Sequence, residues 1–236
     1  MYKFYISVLA PLILIVFNVQ AQSKFDGFST QVGLGYETAT AKVNNEFFKA
    51  DGNGYMAQGT WGVNANVNKP SGLDFPVSIQ YALSIGPKYS LSFGAEYINN
   101  KRNFSDSSTA PNAQNGGGDF IFPVSTSSVK NRYNLFIAPG YDLDTESQIY
   151  GKLGFSSAKF VNNDGSGDQA KLRGLILGLG YKTFLTSHIY LFAEGDYVTM
   201  KTNPITGSDP IFTSANYSYD VSGSTVNAIV GLGYKF

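Results

Sequence analysis

Cysteine is absent from the 236-residue chain, histidine occurs once, and charged residues make up only 14% of the total. Without cysteine, neither a disulfide framework nor a thiolate nucleophile or metal site can form. Lys plus Arg and Asp plus Glu are equal at 17 each, so no basic field indicates nucleic acid as a partner. Soluble domains carry about 25% charged residues. With its lower charged fraction, the folded chain would have a surface that water solvates poorly.

The sequence also lacks an apolar run long enough for a transmembrane helix. The one apolar segment lies at the N-terminus, where a run of about 13 apolar residues follows Lys3, contains Pro11 and leads to Ala21. A transmembrane helix needs about 20 apolar residues, whereas this arrangement is typical of a secretory signal peptide. The sequence predicts a signal peptide over residues 1–21 and one domain, without a helical membrane anchor, over residues 22–236.

Alternation of apolar and polar residues with period 2, the pattern of half-buried strands, runs through the rest of the chain. In "FPVSIQYALSI" every second residue from Phe75 to Ile85 is apolar. Strands of this length exceed the usual 5 to 6 residues or so and are long enough to cross a bilayer at a tilt of about 45°. The pattern predicts eight strands, at residues 28–40, 73–85, 89–101, 129–143, 148–160, 171–184, 188–201 and 224–236.

The connections between these strands alternate in length. Residues 86–88, 144–147 and 185–187 form short turns, and the intervening segments are mostly much longer. Short turns at one end and long loops at the other are the arrangement of an up-and-down membrane barrel. We therefore predict an all-β fold, an eight-stranded antiparallel up-and-down transmembrane β-barrel.

Apolar and polar residues also alternate in a soluble barrel, where the apolar face points inward. Alternation therefore does not show which face of this barrel points outward. The polar face is mostly Gly, Ser, Ala, Gln and Asn, which suit a crowded interior. Aromatic residues of the apolar face fall at two heights, as in the belts of membrane barrels. Those near the short turns are Tyr89, Tyr141, Tyr181, Tyr234 and Phe236, and those near the long loops are Tyr36, Phe75, Tyr97, Tyr133 and Tyr197. The apolar face is predicted to meet lipid.

These features, together with the last strand "STVNAIVGLGYKF", give the mature chain a resemblance to the small eight-stranded bacterial outer-membrane barrels, the opacity-type surface antigens and the transmembrane barrel of outer-membrane protein A. That family ends in an assembly signal, which Gly231, Tyr234 and Phe236 match, while Ile229 stands where the signal usually has a polar residue. The resemblance implies residence in the bacterial cell outer membrane, contact with its lipid and lipopolysaccharide, and recognition by the barrel-assembly machinery.

Charged residues on the inward face are the candidate functional residues of the barrel. Eight strands leave an interior that side chains fill, so the sequence predicts a polar, ion-paired plug. Glu96 and Arg132, in the upper halves of neighbouring strands, are the preferred pair. The candidates are Glu37, Glu96, Arg132, Lys152, Glu194 and Asp196.

One residue favours a different interpretation, a narrow channel for small or hydrophobic solutes with a lateral opening. Pro139 lies inside a lipid-facing strand, where it predicts a bulge or a weakened ladder. A local structural kink is the other interpretation of the same residue.

No pattern predicts catalysis, a metal site or a cofactor. His188 follows a short turn and so belongs at the periplasmic rim, far from the outer leaflet where histidine-dependent barrel enzymes act. Glu194 and Asp196 share one face, but in a plugged lumen no substrate reaches them. The segment "NNDGSGD" at residues 162–168 lacks the distal glutamate of a calcium loop and fits a hairpin turn.

The loops are where the sequence places function. The first loop carries Phe47, Phe48, Tyr55 and Trp61. Two interpretations are open: these side chains contact an extracellular ligand, or they pack on their own hairpin and the barrel rim. The predicted function is a structural or cell-surface interaction role of the adhesion type.

Overall fold

The computed structural model describes residues 23–51, 58–62, 64–112, 114, 118–121, 124–162, 169–209 and 215–236. The strands of this part of the chain join in one antiparallel sheet. Eight of them are long: β1 Gly27–Asp51, β5 Pro76–Gly86, β6 Tyr89–Ala110, β8 Ser125–Asp142, β9 Ser147–Asn162, β10 Gln169–Phe184, β11 Ile189–Lys201 and β13 Ala215–Lys235. Five are short: β2 Gln58–Gly62, β3 Asn64–Val67, β4 Ser71–Asp74, β7 Phe120–Ile121 and β12 Ile205–Asp209.

The eight long strands close into a ring. Each pairs with the next long strand along the chain, and β13 pairs with β1 from Ser29 opposite Lys235 to Asn44 opposite Asp220. Closure of this kind removes the sheet edges. The ring confirms the predicted all-β class and the eight-stranded up-and-down barrel. No helix in the described residues is long and apolar enough to cross a membrane.

The apolar face of the barrel points outward. In β11 exposed and buried residues alternate without exception. Outward residues are large and apolar, with exposed fractions of 71% for Phe155 and 69% for Leu179, whereas Glu194 and Asp196 are buried inside. Soluble monomers rarely expose large contiguous apolar patches, so this exterior is suited to lipid, as predicted.

Aromatic residues contact one another at both ends of the apolar band. The rings of Tyr89 and Tyr141 lie 5.3 Å apart near the short turns. Those of Tyr97 and Tyr133 lie 4.8 Å apart near the long loops. Such pairs mark the two water interfaces of a membrane barrel.

Glycine is needed where large side chains point inward. A Cβ atom at Gly180 would lie 2.3 Å from Cζ of Tyr150, and one at Gly233 would lie 2.1 Å from Cζ of Tyr190. The sequence GLGY occurs three times, at residues 33–36, 178–181 and 231–234, and its Leu and Tyr face outward. Gly180 and Gly233 are the second glycines of the last two copies. The repeat therefore pairs a lipid-facing Leu and Tyr with space for an aromatic ring inside.

Several strands extend further on the extracellular side than alternation predicts. β1 continues to Asp51 and pairs with β2, and β6 continues to Ala110. Beyond the bilayer the outward residues no longer need to be apolar, so the periodic signal ends while the backbone hydrogen bonds continue. β1 and β2 thus pair beyond the apolar band.

A β-bulge lies near the extracellular end of β8. Asn131 has a positive φ of 56°, and the register of β8 against β9 shifts between Lys130 and Tyr133. Asn is among the few residues that tolerate this conformation, and bulges of this kind re-aim neighbouring side chains.

Candidate functional site: the charged barrel interior

The barrel interior is filled by layers of side chains. An aromatic layer lies at the periplasmic end, two clusters of charged residues lie above it, and an apolar layer follows on the extracellular side. The strands position these layers because inward side chains recur at every second residue.

The lower charged cluster is centred on Lys152 of β9. Its ammonium group lies 3.0 Å from Glu96, 2.8 Å from Glu194 and 3.3 Å from Asp196, and all four residues are buried. Tyr150 donates a hydrogen bond to Glu194 at 2.9 Å. We call Lys152 and its three carboxylates the Lys152 cluster.

The same three carboxylates are the group in the described residues that has the geometry of a metal site, with ligand atoms within 4.8 Å of one another. Lys152 donates hydrogen bonds to all three of them. A divalent cation and the lysine ammonium would compete for one position between them, and the protein supplies the ammonium itself.

The upper charged cluster contains two arginines. Arg132 pairs with Glu37 and also donates to the Thr225 hydroxyl at 3.1 Å. Arg102 pairs with Asp74 and lies 3.6 Å from Glu37. All of these side chains are buried, and we call Arg102, Arg132, Glu37 and Asp74 the arginine cluster.

The predicted pairing of Glu96 with Arg132 is wrong. Glu96 stands opposite Asn134 in the register of β6 and β8, and Arg132 stands opposite Ile98, further toward the extracellular end. Glu96 therefore contacts Lys152 and accepts a hydrogen bond from Asn134 at 2.6 Å. Arg132 instead reaches across the interior to Glu37 of β1.

Arg102 and Asp74 were missed by the sequence reasoning. The predicted third strand ends at residue 101, one position before Arg102, and the structure continues this strand to Ala110. A signal was present, because Arg102 continues the series of inward residues at Glu96, Ile98 and Asn100 on the same strand.

The chain before β1 closes the periplasmic end. Phe25 is buried and its ring lies 4.8 Å from that of Phe184. Ser23 donates a hydrogen bond to Asp142 at 2.6 Å. Asp26, which precedes β1, accepts one from Ser84 at 2.6 Å, and burial nevertheless raises the pKa of the Asp26 carboxyl above its ordinary value.

The extracellular half of the interior is largely apolar. Ala158, Leu172, Val198, Met200 and Val221 belong to one buried cluster there. A cavity between this cluster and the arginine cluster has a volume of about 30 Å³. By this measure one water molecule needs about 10 to 15 Å³, so the cavity has room for only a few water molecules.

Between β4 and β6, the barrel wall is joined by a side chain instead of by strand pairing. The pairing of β5 with β6 ends at Pro76 opposite Ile98, and in the described chain β4 pairs with β1 only. Arg102 spans the space between β4 and β6 by donating hydrogen bonds to the carbonyls of Gly72 at 2.8 Å and Leu73 at 3.3 Å.

Pro139 lies at a different height, close to the periplasmic end of β8. The pairs between β8 and β9 are interrupted from Ile137 to Gly140, which spans this proline. The interior beside it holds Phe136, Ala138 and Tyr150. The weakened ladder predicted from Pro139 is present, and it faces packed side chains.

The histidine lies where the sequence predicts. His188 is exposed in the short turn before β11, bonded to the Ser187 hydroxyl at 2.8 Å and stacked 5.8 Å from the ring of Tyr234. Glu194 and Asp196 lie in the Lys152 cluster. Of the calcium-like segment at residues 162–168, residues 163–168 lie outside the described residues, and so does the signal peptide at residues 1–21.

Of the first-loop candidates, Trp61 lies in β2 opposite Phe48. Its half-buried ring covers Gly59, where a Cβ atom would lie 2.9 Å from the indole. Phe47 and Phe48 belong to β1, but their side chains, like the whole of Tyr55, lie outside the described part.

The three assembly-signal candidates lie where β13 closes against β1. Gly231 stands opposite Gly33, and a Cβ there would lie 2.2 Å from the Val32 carbonyl oxygen. Tyr234 and Phe236 face outward with their rings 5.1 Å apart. Recognition of these residues by the assembly machinery stays a prediction.

No protein-family model and no curated protein matches the chain. Among solved structures, it is similar to the outer membrane protein OprG from Pseudomonas aeruginosa, with 18% identity over 92% of this chain and 99% of that chain and a TM-score of 0.56. It is also similar to the outer membrane protease OmpT from Escherichia coli, with 12% identity over 92% and 99% of the chains and a TM-score of 0.48. The Neisserial surface protein A shows 13% identity over 92% and 100%, with a TM-score of 0.41. At these identities the likeness concerns the fold alone.

The closed ring of long strands, its lipid-facing exterior and its polar interior define an integral β-barrel of a bacterial outer membrane. Within that class, the chain has the fold of the small eight-stranded barrels.

Proposed function

We propose that the protein is a closed barrel that holds its extracellular hairpins at the cell surface, in a structural or adhesion-type interaction role and without enzymatic activity. The observation that carries the proposal is the filled interior. Two buried charged clusters cross it, and the cavity above them is about 30 Å³. A small solute needs a continuous path, and these layers block one.

The positions and contacts of the candidate catalytic residues support the proposal that the protein has no enzymatic activity. Glu194 and Asp196 are buried and hold Lys152, so their lone pairs stabilise a cation rather than activate water. His188 is exposed at the periplasmic end, apart from both carboxylates.

Solute permeability of proteoliposomes tests the closed lumen. Vesicles with the folded wild-type barrel are expected to swell no faster than empty vesicles in small sugars and amino acids. A general porin with an open lumen, reconstituted at the same protein density, is the positive control. Swelling by the wild type that scales with solute size would contradict the proposal.

The extracellular side is expected to carry the interaction. We expect Trp61→Ala to weaken binding of whole cells to a host surface if the indole contacts a ligand. A substitution at Tyr36, which bonds to Ser71 below the hairpin at 2.8 Å, is the matched control. Equal binding by both variants would place the interaction outside β2.

The wall between β4 and β6 favours a second candidate, a lateral entry for small hydrophobic solutes. Arg102 spans this part of the wall through Gly72 and Leu73, and it lines one cavity together with the apolar extracellular layer. In this candidate Arg102→Ala raises the uptake of a hydrophobic dye into proteoliposomes, whereas Pro139→Val leaves it unchanged. Equal uptake by wild type and Arg102→Ala removes the candidate.

A further inference from the structure

A row of basic side chains crosses the outer surface of the barrel on the extracellular side. Lysines stand directly opposite one another on four adjacent strands, in the pairs Lys101 with Lys130, Lys130 with Lys159 and Lys159 with Lys171. Two residues further along β10, Arg173 stands opposite Lys201 of β11 and extends the row. We call these residues the basic row: Lys101, Lys130, Lys159, Lys171, Arg173 and Lys201.

This arrangement is unfavourable in the protein alone. Like charges directly opposite each other on neighbouring strands destabilise a sheet. None of the ion pairs between described residues includes a member of the basic row. Lys130 is half-buried and the other five are exposed, so the row presents a continuous positive strip to its surroundings.

The bulge at Asn131 is what completes the row. On the periplasmic side of the bulge Arg132 points into the barrel, and beyond it Val129 packs against the interior apolar cluster. Lys130 therefore lies on the outer face, between Lys101 and Lys159. Without the change of side, Lys130 would share the inward direction of Arg132 and the row would be interrupted.

The height of the row relative to the bilayer identifies what it meets. Lys101 follows Tyr97 by four residues on β6, and Lys201 follows Tyr197 by four on β11, about 13 Å along a strand. The tyrosines lie at the outer interface of the apolar band, and flexible lysine stems let the ammonium group settle at the polar surface. The row thus lies at the level of the lipid headgroups of the outer leaflet.

We propose that the basic row binds the phosphate groups of a phosphorylated glycolipid in the outer leaflet. Phosphate offers several acceptor oxygens to the lysine ammonium groups and to the guanidinium of Arg173. Bound phosphates remove the repulsion along Lys101, Lys130, Lys159 and Lys171. The proposal is independent of whether the lumen is closed.

Binding of fluorescent diphosphoryl lipid A in mixed detergent micelles, followed by anisotropy, tests the proposal. Removing two charges with Lys130→Gln and Lys159→Gln is expected to weaken binding on the order of 25-fold, about fivefold per lysine. The double variant with arginine at both positions retains binding. Lys88→Gln, in the exposed periplasmic turn, is the matched control and leaves binding unchanged. A heat-dependent gel shift confirms folding of each variant.

The outcomes separate the sources of the anion. Loss of binding with dephosphorylated lipid A and in the glutamine variant supports the proposal. Equal affinity for the dephosphorylated lipid, or an unchanged glutamine variant, overturns it. Competition by inorganic pyrophosphate or heparin at concentrations similar to the lipid also overturns it, because the row would then take a free polyanion.

Discussion

Single residues decide whether the crowded interior of this barrel is stable. Lys152 is the one cation in contact with Glu96, Glu194 and Asp196 in the described structure. Its removal leaves these carboxylates buried without a cation in contact, which is costly because water cannot solvate their charge there.

Lys152→Met is accordingly expected to lower the free energy of unfolding by about 3 to 5 kcal/mol. Urea titration of the folded barrel in lipid vesicles measures this change. Lys88→Met, at an exposed turn residue, is the control and is expected to have almost no effect. Equal urea midpoints for the two variants would show that the Lys152 cluster is held by other means.

Glycine substitutions test the packing at the same scale. Gly180→Ala forces a methyl group into the ring of Tyr150, and overpacking of this kind costs about 1 to 3 kcal/mol. At Gly195, on the outer face, an added Cβ would meet nothing within 4 Å. Thermal unfolding is therefore expected at a lower temperature for Gly180→Ala and at the wild-type temperature for Gly195→Ala. The reverse order would contradict the inward placement of Gly180.

At the scale of strands, bulges and extensions separate what alternation predicts from what it misses. Within the apolar band, alternation predicted the outward Tyr133 and Leu135 and the inward Arg132 and Asn134. It failed at Asn131, because nothing in the alternation indicates a residue with positive φ. The partners in the ion pairs were not predictable either. They depend on the register between neighbouring strands and on which side chains meet across the lumen.

The Asn131 bulge has its own expected behaviour. Asn131→Gly keeps the positive φ without strain and is expected to retain wild-type stability. Asn131→Val places a β-branched residue in that conformation, at a cost of about 1 to 3 kcal/mol. Thermal unfolding of the two variants checks this difference, and equal transitions would mean that the bulge is absent in the membrane.

At the scale of the whole molecule, a net charge of zero conceals a separation of charge. Seventeen positive and 17 negative residues gave no indication of a charged partner. The fold places Arg102 and Arg132 inside with carboxylates, and it places the basic row on the outer surface. Composition cannot reveal this separation, because it arises from strand register.

Barrel assembly is a property of the whole chain, and a substitution at the end of β13 tests the predicted assembly signal. Phe236→Ala is expected to reduce the folded fraction in isolated outer membranes, because the C-terminal aromatic is part of the predicted assembly signal. Phe155→Ala removes an equally lipid-exposed ring from β9 and is the control. Heat-dependent gel mobility measures the folded fraction, and equal losses would assign both residues to lipid contact alone.

The central claim is that side chains close the lumen, and single-channel recording in a planar bilayer tests it most directly. The wild-type barrel, shown to be folded by its heat-dependent gel shift, is expected to give no conductance steps. A general porin with an open lumen, recorded in the same bilayer, is the positive control and gives measurable steps. Steady steps from the wild type would contradict the closed lumen and make this protein a small channel.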